Sequence, residues 1–349
     1  MKLKAPDDDA ATAFSPINCF SAICLAASLT IVYPSTGVAK RGAGELNATE
    51  QWVVMQTRAG EIADLSKQFP DKEKDKRKLS AHFLEELLMG ALPGIKLHRH
   101  GVRIIGATID EPVDLENAQI PCELWLEHCQ FNASADFNSA NFAGTVSFEN
   151  SAFKADAGFN SMKAGRAVFN DAVFEGPVDF ISADIASNFE ANGAKFQNKE
   201  TEATFNSMKV RGYAFFKNAV FEGPADFGSA DIAGNLEAQG AKFQNKEKIA
   251  NFSSMKVGGD AYFNDGVFEG PVSFILADIA SNFSGHGARF QNKEKGANFS
   301  SIKIRGYAFF LGGAVFEGAA NFASATSPAL SLHQEQSFRT RKRKPISAA

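Results

Sequence analysis

The stretch FNSMKVRGYAFFKNAVFEGPADFGSADIAGNLEAQGAKFQNKEKIANF, residues 205–252, has apolar residues at regular intervals. The intervals alternate between five and six residues, except that the last is nine residues long because it contains an extra Asn-Lys-Glu loop. These positions are Phe205, Val210, Phe216, Phe221, Phe227, Ile232, Ala238, Phe243 and Phe252. Neither a helix with a period of 3.6 residues nor a flat strand with a period of 2 has this spacing, whereas a chain that turns a corner at each interval does.

The same spacing extends from Ile104 to Phe322, and sorting the apolar positions by every fourth step gives four columns. The first column contains Ile109, Phe131, Phe153, Phe174, Phe196, Phe221, Phe243, Phe268, Phe290 and Phe316. The second contains Leu115, Phe137, Phe159, Phe180, Phe205, Phe227, Phe252, Phe274, Phe299 and Phe322. The third is mainly aliphatic, and the fourth alternates large with small residues whose missing volume is supplied two positions earlier, by Leu236 or Phe283. This sorting predicts an all-β solenoid with four sides, in which like residues stack from coil to coil.

Composition agrees with a repeat architecture. The chain of 349 residues contains 33 Phe but only 4 Tyr and 2 Trp, so one aromatic residue type recurs at one kind of site. A net charge of −4 provides no basic surface for nucleic acid, and it is too small to imitate a phosphate backbone.

The repeating units resemble those of the pentapeptide-repeat family, in which a small residue precedes a central Leu or Phe by two positions. Such units begin at Ala135, Ala140, Ala172, Ala183 and Ala194. The resemblance implies a right-handed quadrilateral β-helix over about two thirds of the chain. The stretch from Arg99 to Cys129 also looks like the opening of a recurrent bacterial subgroup of this family, for which the resemblance implies no activity.

Two further segments precede the solenoid. Residues 17–33 are apolar and uncharged, which predicts a signal peptide or membrane anchor within residues 1–39 and a protein that is exported to the periplasm or cell surface, or anchored in the membrane. Residues 40–101 are predicted to form a helical N-terminal cap, with a charged loop over Asp71–Lys78. A helix begins at Ser80, which is a suitable N-cap, and ends near Gly90.

The solenoid is assigned to residues 102–325, followed by a polar, basic tail over residues 326–349. This tail contains Arg339, Arg341, Lys342, Arg343 and Lys344 and is expected to be a solvated arm, with anionic lipid or nucleic acid as the alternative partner. The last coil needs a cover. Residues 329–338 are predicted to fold across it, or two solenoids to associate end to end.

The residues that are candidates for chemistry favour structural roles. His98 and His100 lack a third ligand nearby, so we expect a surface loop and no metal or cofactor. Cys129 is expected to point inward and Cys122 outward, which disfavours a disulfide. Equivalent glutamates recur at outward positions, whereas catalysis requires an acid and a base in different environments. They are Glu175, Glu222, Glu269 and Glu317.

One outward line of residues alternates in charge and is predicted to form a ladder on a single side of the coil. It consists of Lys163, Asp184, Lys209, Asp231, Lys256, Asp278 and Lys303. These observations predict a non-catalytic structural or interaction scaffold that binds a macromolecule, most simply a protein. The alternatives are a carbohydrate-active β-solenoid and a DNA-mimicking inhibitor, although the alternating ladder interrupts any continuous acidic surface.

Overall fold

The structure is a computed structural model that describes residues 46–310 and 313–331. The predicted signal peptide or anchor and the basic residues 339–344 lie outside the described residues. So do residues 332–338, the larger part of the segment predicted to fold across the last coil.

The described chain forms a parallel β-solenoid with four sheets, which confirms the predicted four-sided β-helix. Sheet A has twelve strands. They are Ala63–Asp64, Val102–Ile105, Leu124–Glu127, Thr145–Ser147, Arg166–Val168, Phe189–Glu190, Ala214–Phe215, Leu236–Glu237, Ala261–Tyr262, Phe283–Ser284, Tyr307–Phe309 and Ala329–Ser331. Sheet B has ten strands. They are Thr108–Ile109, Gln130–Phe131, Ala152–Phe153, Val173–Phe174, Lys195–Phe196, Val220–Phe221, Lys242–Phe243, Val267–Phe268, Arg289–Phe290 and Val315–Phe316.

The other two sheets complete each coil. Sheet C has ten strands, which are Val113–Asp114, Ala135–Asp136, Ala157–Gly158, Val178–Asp179, Ala203–Thr204, Ala225–Asp226, Ala250–Asn251, Val272–Ser273, Ala297–Asn298 and Ala320–Asn321. Sheet D has nine, which are Gln119–Ile120, Asn141–Phe142, Lys163–Ala164, Asp184–Ile185, Lys209–Val210, Asp231–Ile232, Lys256–Val257, Asp278–Ile279 and Lys303–Ile304.

The two phenylalanine columns form continuous stacks inside the solenoid. The rings of Phe131 and Phe153 are 4.7 Å apart with planes 3° from parallel, and those of Phe205 and Phe227 are 4.6 Å apart at 7°. These separations match the distance of about 4.8 Å between neighbouring strands, so each ring lies directly over the ring of the previous coil. The register predicted from the sequence is therefore confirmed.

The fourth column keeps its volume as predicted. Leu236 and Phe283 point inward and are buried beside the small residues Ala238 and Gly285. A methyl group added at Gly285 would lie 3.0 Å from Cδ1 of Phe310, so the large neighbours leave no space for a side chain there.

Turn geometry explains why some steps have five residues. The five-residue steps contain a residue in the left-handed region, for example Ser207 with φ 57° and Asn218 with φ 57°. Glycine is common at these positions because it has no Cβ atom, and asparagine, aspartate and serine are common because a short polar side chain tolerates that conformation. Leu276 is an exception, with φ 59° and 57 % of its surface exposed.

The N-terminal segment covers the first coil with helices. Helix α1 spans Ala48–Ala59, α2 spans Leu65–Gln68 and α3 spans Ala81–Leu88. Ser80 caps α3 as predicted, since its side chain accepts a hydrogen bond from the backbone N–H of Phe83. The charged run was predicted to be a loop, which is wrong for Asp71–Arg77, a 3₁₀ helix. Arg77 holds this helix by donating to the carbonyl of Phe69 and to Asp71.

The helical segment continues the hydrogen-bonding pattern of three sheets. Its strand Ala63–Asp64 pairs with Val102–Ile105 in sheet A, and the backbone N–H of Leu79 donates to the carbonyl of Thr108 in sheet B. The backbone N–H of Asp114 in sheet C donates to Glu85 at 2.8 Å. The helical segment therefore gives hydrogen-bond partners to the first strands of sheets A, B and C, which protects these sheet edges.

Corner loops recur along the edge between sheets B and C. Asn198 and Asn245 begin two of these loops, and each accepts backbone hydrogen bonds from residues two and three positions later. Successive loops touch, because Nζ of Lys248 lies 2.9 Å from the carbonyl of Glu200 and Nζ of Lys295 lies 3.4 Å from that of Glu247. We call this row of loops, residues 198–202, 245–249 and 292–296, the loop ridge.

Candidate interaction surface

Sheet A differs from the other three sheets in its outward side chains. Aromatic residues point outward from sheet A, and within the described coils they point outward from no other sheet. We call the outward side chains of sheet A, with the residues flanking its strands, face A. Its aromatic members are Trp125, Tyr213, Phe215, Tyr262, Tyr307 and Phe309.

Strand alternation places these aromatics. In the sequence YAFF at residues 213–216, Ala214 and Phe216 are buried, while Tyr213 is 44 % exposed and Phe215 is partly exposed. The same sequence at residues 307–310 leaves Tyr307 52 % exposed. Neighbouring side chains on a strand point to opposite sides of the sheet, so a doubled phenylalanine has one ring inside and one outside.

Register aligns the outward residues in a central column along the solenoid axis. Its members in coil order are Arg103, Trp125, Ser147, Val168, Glu190, Phe215, Glu237, Tyr262, Ser284 and Phe309. From Glu190 to Tyr262 acidic and aromatic residues alternate in this column, whereas the earlier coils also contribute Arg103 and Val168. Face A therefore presents ring surfaces with carboxylates one strand spacing away.

Cations already bind these rings within the protein. The guanidinium of Arg103 lies 5.3 Å from the centre of the Trp125 ring, and Nζ of Lys217 lies 5.6 Å from that of Phe215. Lys217 also forms an ion pair with Glu237 at 2.5 Å. These are the geometries of cation–π contacts, which favour Arg and Lys over neutral side chains.

One carboxylate on face A is firmly paired. Glu190 is 9 % exposed and accepts two hydrogen bonds from Arg166, at 2.7 and 2.8 Å. The hydrogen bond to Glu190 raises the pKa of the Arg166 guanidinium, which partial burial alone would lower. Two parallel N–H to oxygen contacts fix the geometry as well as the charge.

A second carboxylate is in a different environment. Burial raises the pKa of Glu149, and the negative charges of Glu127, Asp171 and Glu190 raise it further, while His128 acts in the opposite direction. Within the described residues no cation lies within ion-pairing distance of Glu149, whereas Glu127 accepts a hydrogen bond from Ser147 at 2.7 Å. The early coils of face A thus have an excess of negative charge.

Tyr262 is oriented by its own coil. Its hydroxyl donates to Asp260 at 2.8 Å, which raises the pKa of Tyr262. Burial alone would raise the pKa of Asp260, but hydrogen bonds from Ser281, Asn282 and Tyr262 outweigh it and the pKa lies below its ordinary value. The carboxylate therefore stays charged beside the ring.

Face A continues into an open groove at the N-terminal end. This groove is lined by Trp52 and Gln56 of α1, by Ile62 and by Ile105 of sheet A, with Asp64 and Lys67 at its side. Ile62 is exposed, and Trp52 is partly buried against the core. The groove adds apolar surface next to the aromatic column.

Several carboxylates on the outward sides of sheets C and D have partners within the solenoid. The predicted ladder is confirmed, because Lys209 pairs in register with Asp184 and Asp231 on sheet D. The ion pairs, however, join Asp184 to Arg211 and Asp278 to Arg305, each at 3.0 Å. On sheet C, carboxylates accept hydrogen bonds from backbone N–H groups two residues later. Examples are Asp114, Asp136, Asp179 and Asp226.

The recurring glutamates lie beside the loop ridge, and each forms an ion pair with a lysine from the preceding coil. The pairs are Glu175 with Lys154, Glu222 with Lys199, Glu269 with Lys246 and Glu317 with Lys293. Their separations are 2.6, 3.3, 3.6 and 3.3 Å. They occupy four separate coils and converge on no common point.

The histidines and cysteines are part of the coil structure. The rings of His98 and His100 meet edge to face at 4.4 Å, and Nδ1 of His100 lies 3.0 Å from the carbonyl of Gly60. Cys122 and Cys129 are free thiols, and burial raises the pKa of Cys129 to about 12. Among the described residues, no group of three or more His, Cys, Asp or Glu is placed to hold a metal ion.

Comparisons with family models, with curated proteins and with solved structures returned no match. Across residues 46–310 and 313–331, none of the helices has the length and apolar character needed to cross a bilayer.

Sequence reasoning did not identify face A. The signal was present, because Phe215, Tyr262 and Phe309 directly precede the inward positions Phe216, Phe263 and Phe310. The only outward line predicted from the sequence was the charge ladder, which lies beside the aliphatic column on sheet D.

Proposed function

We propose that the protein is a non-catalytic interaction scaffold of the pentapeptide-repeat family and that face A is its binding surface. The four-sheet coil with stacked phenylalanine supports the family, since this fold is what the repeating units imply. The single observation that supports the binding role is that outward aromatic residues are confined to sheet A. Exposed Tyr, Trp and Arg dominate the energetics of protein interfaces.

The proposed partner is a macromolecule, most simply a protein, because face A is long and its contacts are spread over many coils. Nucleic acid is disfavoured by the net charge of −4. Export or membrane attachment through residues 17–33 is part of the proposal, as is end-to-end association of two solenoids. No cofactor is required for this role.

Substitution of the exposed tyrosines tests the proposal. The double variant Tyr213→Ser and Tyr307→Ser keeps the inward residues and is expected to fold normally. It should lose the proteins that the wild type retains in affinity capture from the cells that produce it, because tyrosine contributes large contact area at interfaces.

A matched control is Lys195→Ser with Lys242→Ser, which alters two exposed outward residues of sheet B. This control should retain the same proteins as the wild type. Equal retention by the tyrosine variant would remove face A from the proposal, and loss of retention by the lysine variant would move the surface to sheet B.

A carbohydrate-active solenoid is the second candidate, and one observation favours it. The pKa of Glu149 is raised by burial and by the nearby charge of Glu127, and a carboxyl group with a raised pKa is what a general acid in glycoside hydrolysis requires. Release of reducing ends from a panel of polysaccharides, abolished by Glu149→Gln, would establish this activity. No release from any of them would leave the scaffold proposal as stated.

A further inference from the structure

We propose that face A is a receptor for a Lys/Arg-rich peptide and that the segment which occupies it is the chain's own basic segment, residues 339–344. This inference rests on face A being a binding surface, and it names the chemistry of the partner. The contact is intramolecular, so an external partner must compete with it.

The first support is the way in which face A already uses cations. Arg103 lies over Trp125, Lys217 lies over Phe215, and Arg166 binds Glu190 through two hydrogen bonds. From Glu190 to Tyr262 carboxylates and rings alternate in one column, so a cationic side chain can contact a ring face and an acidic group there at the same time.

The second support is charge complementarity. The flanks of face A contain Glu123, Glu127, Glu149 and Asp260, and the negative charges of three neighbours outweigh the opposing effect of His128 on Glu149. The sequence of residues 339–344 is RTRKRK, which contains five cations in six positions. A cation placed beside Glu149 would offset the repulsion from its neighbours.

The third support is the point at which the described chain ends. Ala329–Ser331 is the last strand of sheet A, so the basic segment follows directly from this sheet. Glu149 lies eight coils earlier than Ser331, a distance of roughly 38 Å at a strand spacing of about 4.8 Å. Lys344 is thirteen residues beyond Ser331 and spans up to about 43–47 Å when extended, so it reaches Glu149.

Zero-length carbodiimide coupling of the full chain tests the contact, because it joins a lysine amine to a carboxylate only when the two touch. We expect Lys342 and Lys344 to couple to Glu149 and Glu237 on face A, as mapped by mass spectrometry of peptides. An equal mixture of isotope-labelled and unlabelled protein should give coupled peptides of uniform label. The yield should fall several-fold when ionic strength rises from about 0.1 M to about 1 M, which shortens the Debye length from roughly 10 to roughly 3 Å.

Two charge-matched variants serve as controls. Glu149→Gln with Glu237→Gln should abolish the coupling of the basic segment, whereas Glu222→Gln with Glu269→Gln, which changes net charge equally beside the loop ridge, should leave it unchanged. Coupling to the loop ridge as readily as to face A would overturn the proposal, as would coupled peptides of mixed label.

Binding to lipid vesicles is the last part of the test. If Lys342 and Lys344 couple to no residue of face A and the full chain binds phosphatidylserine vesicles through them, the segment is a lipid-binding arm and the proposal fails. Face A would then still stand as a binding surface if the tyrosine variant loses captured proteins, so the two proposals fail separately.

Discussion

The phenylalanine stacks inside the solenoid and the aromatic column on face A use similar residues for opposite purposes. Inside, the rings of successive coils are separated by about 5 Å, as for Phe180 and Phe205 at 5.2 Å. Every coil after the first contributes phenylalanine to both stacks. Outside, the column reads Trp, Ser, Val, Glu, Phe, Glu and Tyr over seven successive coils, from Trp125 to Tyr262. Uniform columns follow from packing alone, whereas an irregular outward column with aromatic rings at the surface is not required by the coil.

The largest expected effect comes from a matched pair of truncations, Phe205→Ala inside and Phe215→Ala outside. Phe205 is fully buried between Phe180 and Phe227, so its truncation should cost about 3–5 kcal/mol of unfolding free energy. Phe215 contacts Lys217 and solvent, so its truncation should cost less than about 1 kcal/mol. Urea unfolding followed by circular dichroism measures both, and similar midpoints for the two variants would contradict the comparison.

A second pair compares ion pairs on two faces. Arg166→Ala leaves the buried carboxylate of Glu190 with a single weak contact from Asn170, so we expect a loss of about 1 kcal/mol after allowance for the exposed half of Arg166. Arg211→Ala on sheet D removes a solvent-screened pair with Asp184 and should change the midpoint less. An equal loss in both variants would show that face A holds its charges no more firmly than sheet D.

A third change concerns the uniform corner between sheets C and D. Leu276→Asn replaces an exposed leucine with φ 59° by a residue that tolerates this conformation, so stability should rise by about 0.5 kcal/mol. The mirror change, Ser254→Leu at φ 58° one coil earlier, should lower it by a similar amount. Opposite signs in the two urea midpoints are the expected result, and a loss in Leu276→Asn would point to a packing role for the leucine.

The smallest effect is the pH dependence of face A. Because the pKa of Glu149 is raised above 4.5 in the folded protein, the folded state binds more protons than the unfolded state just above that pH. Stability is therefore lost as pH rises from 4.5 through the folded-state pKa. Glu149→Gln removes this loss, so its midpoint should gain on the wild type across that window and then stay level. A constant difference from pH 4 to pH 8 would show that Glu149 has an ordinary pKa.

Most of the fold was predictable because the inward columns repeat in nine or ten coils. A single misplaced residue, such as Ala164 among the aliphatics, does not obscure such a column. The 3₁₀ helix at Asp71–Arg77 was not predictable, since it contains no buried residue and its support comes from Arg77 contacting the chain at Phe69. The charge ladder lies in register as predicted, but the ion pairs to Asp184 and Asp278 come from Arg211 and Arg305, which follow the ladder residues Lys209 and Lys303 by two positions.

Face A was harder to predict because its repeat covers only the later coils, where Phe215, Tyr262 and Phe309 recur every 47 residues. Trp125 lies four coils from Phe215 in the central column, and only their shared outward register relates them. The charge excess around Glu149 depends on Glu127, Asp171 and Glu190, which come from different coils and meet only after the chain has wound three times. This set of four residues does not recur with the two-coil period of the sequence, so the repeat does not predict that they lie close together.

The loop ridge sets a rule for changing the length of this protein. Its lysine contacts run from one loop to the next across 48 residues, while the loops themselves recur every 47 residues, which is two complete coils. Excision of residues 206–252 would join Phe205 to Ser253 and leave every column in phase, with Asn198 and Asn292 meeting as new neighbours. Removal of a single coil would bring unlike coils together. The solenoid should therefore tolerate being lengthened or shortened only by two coils at a time.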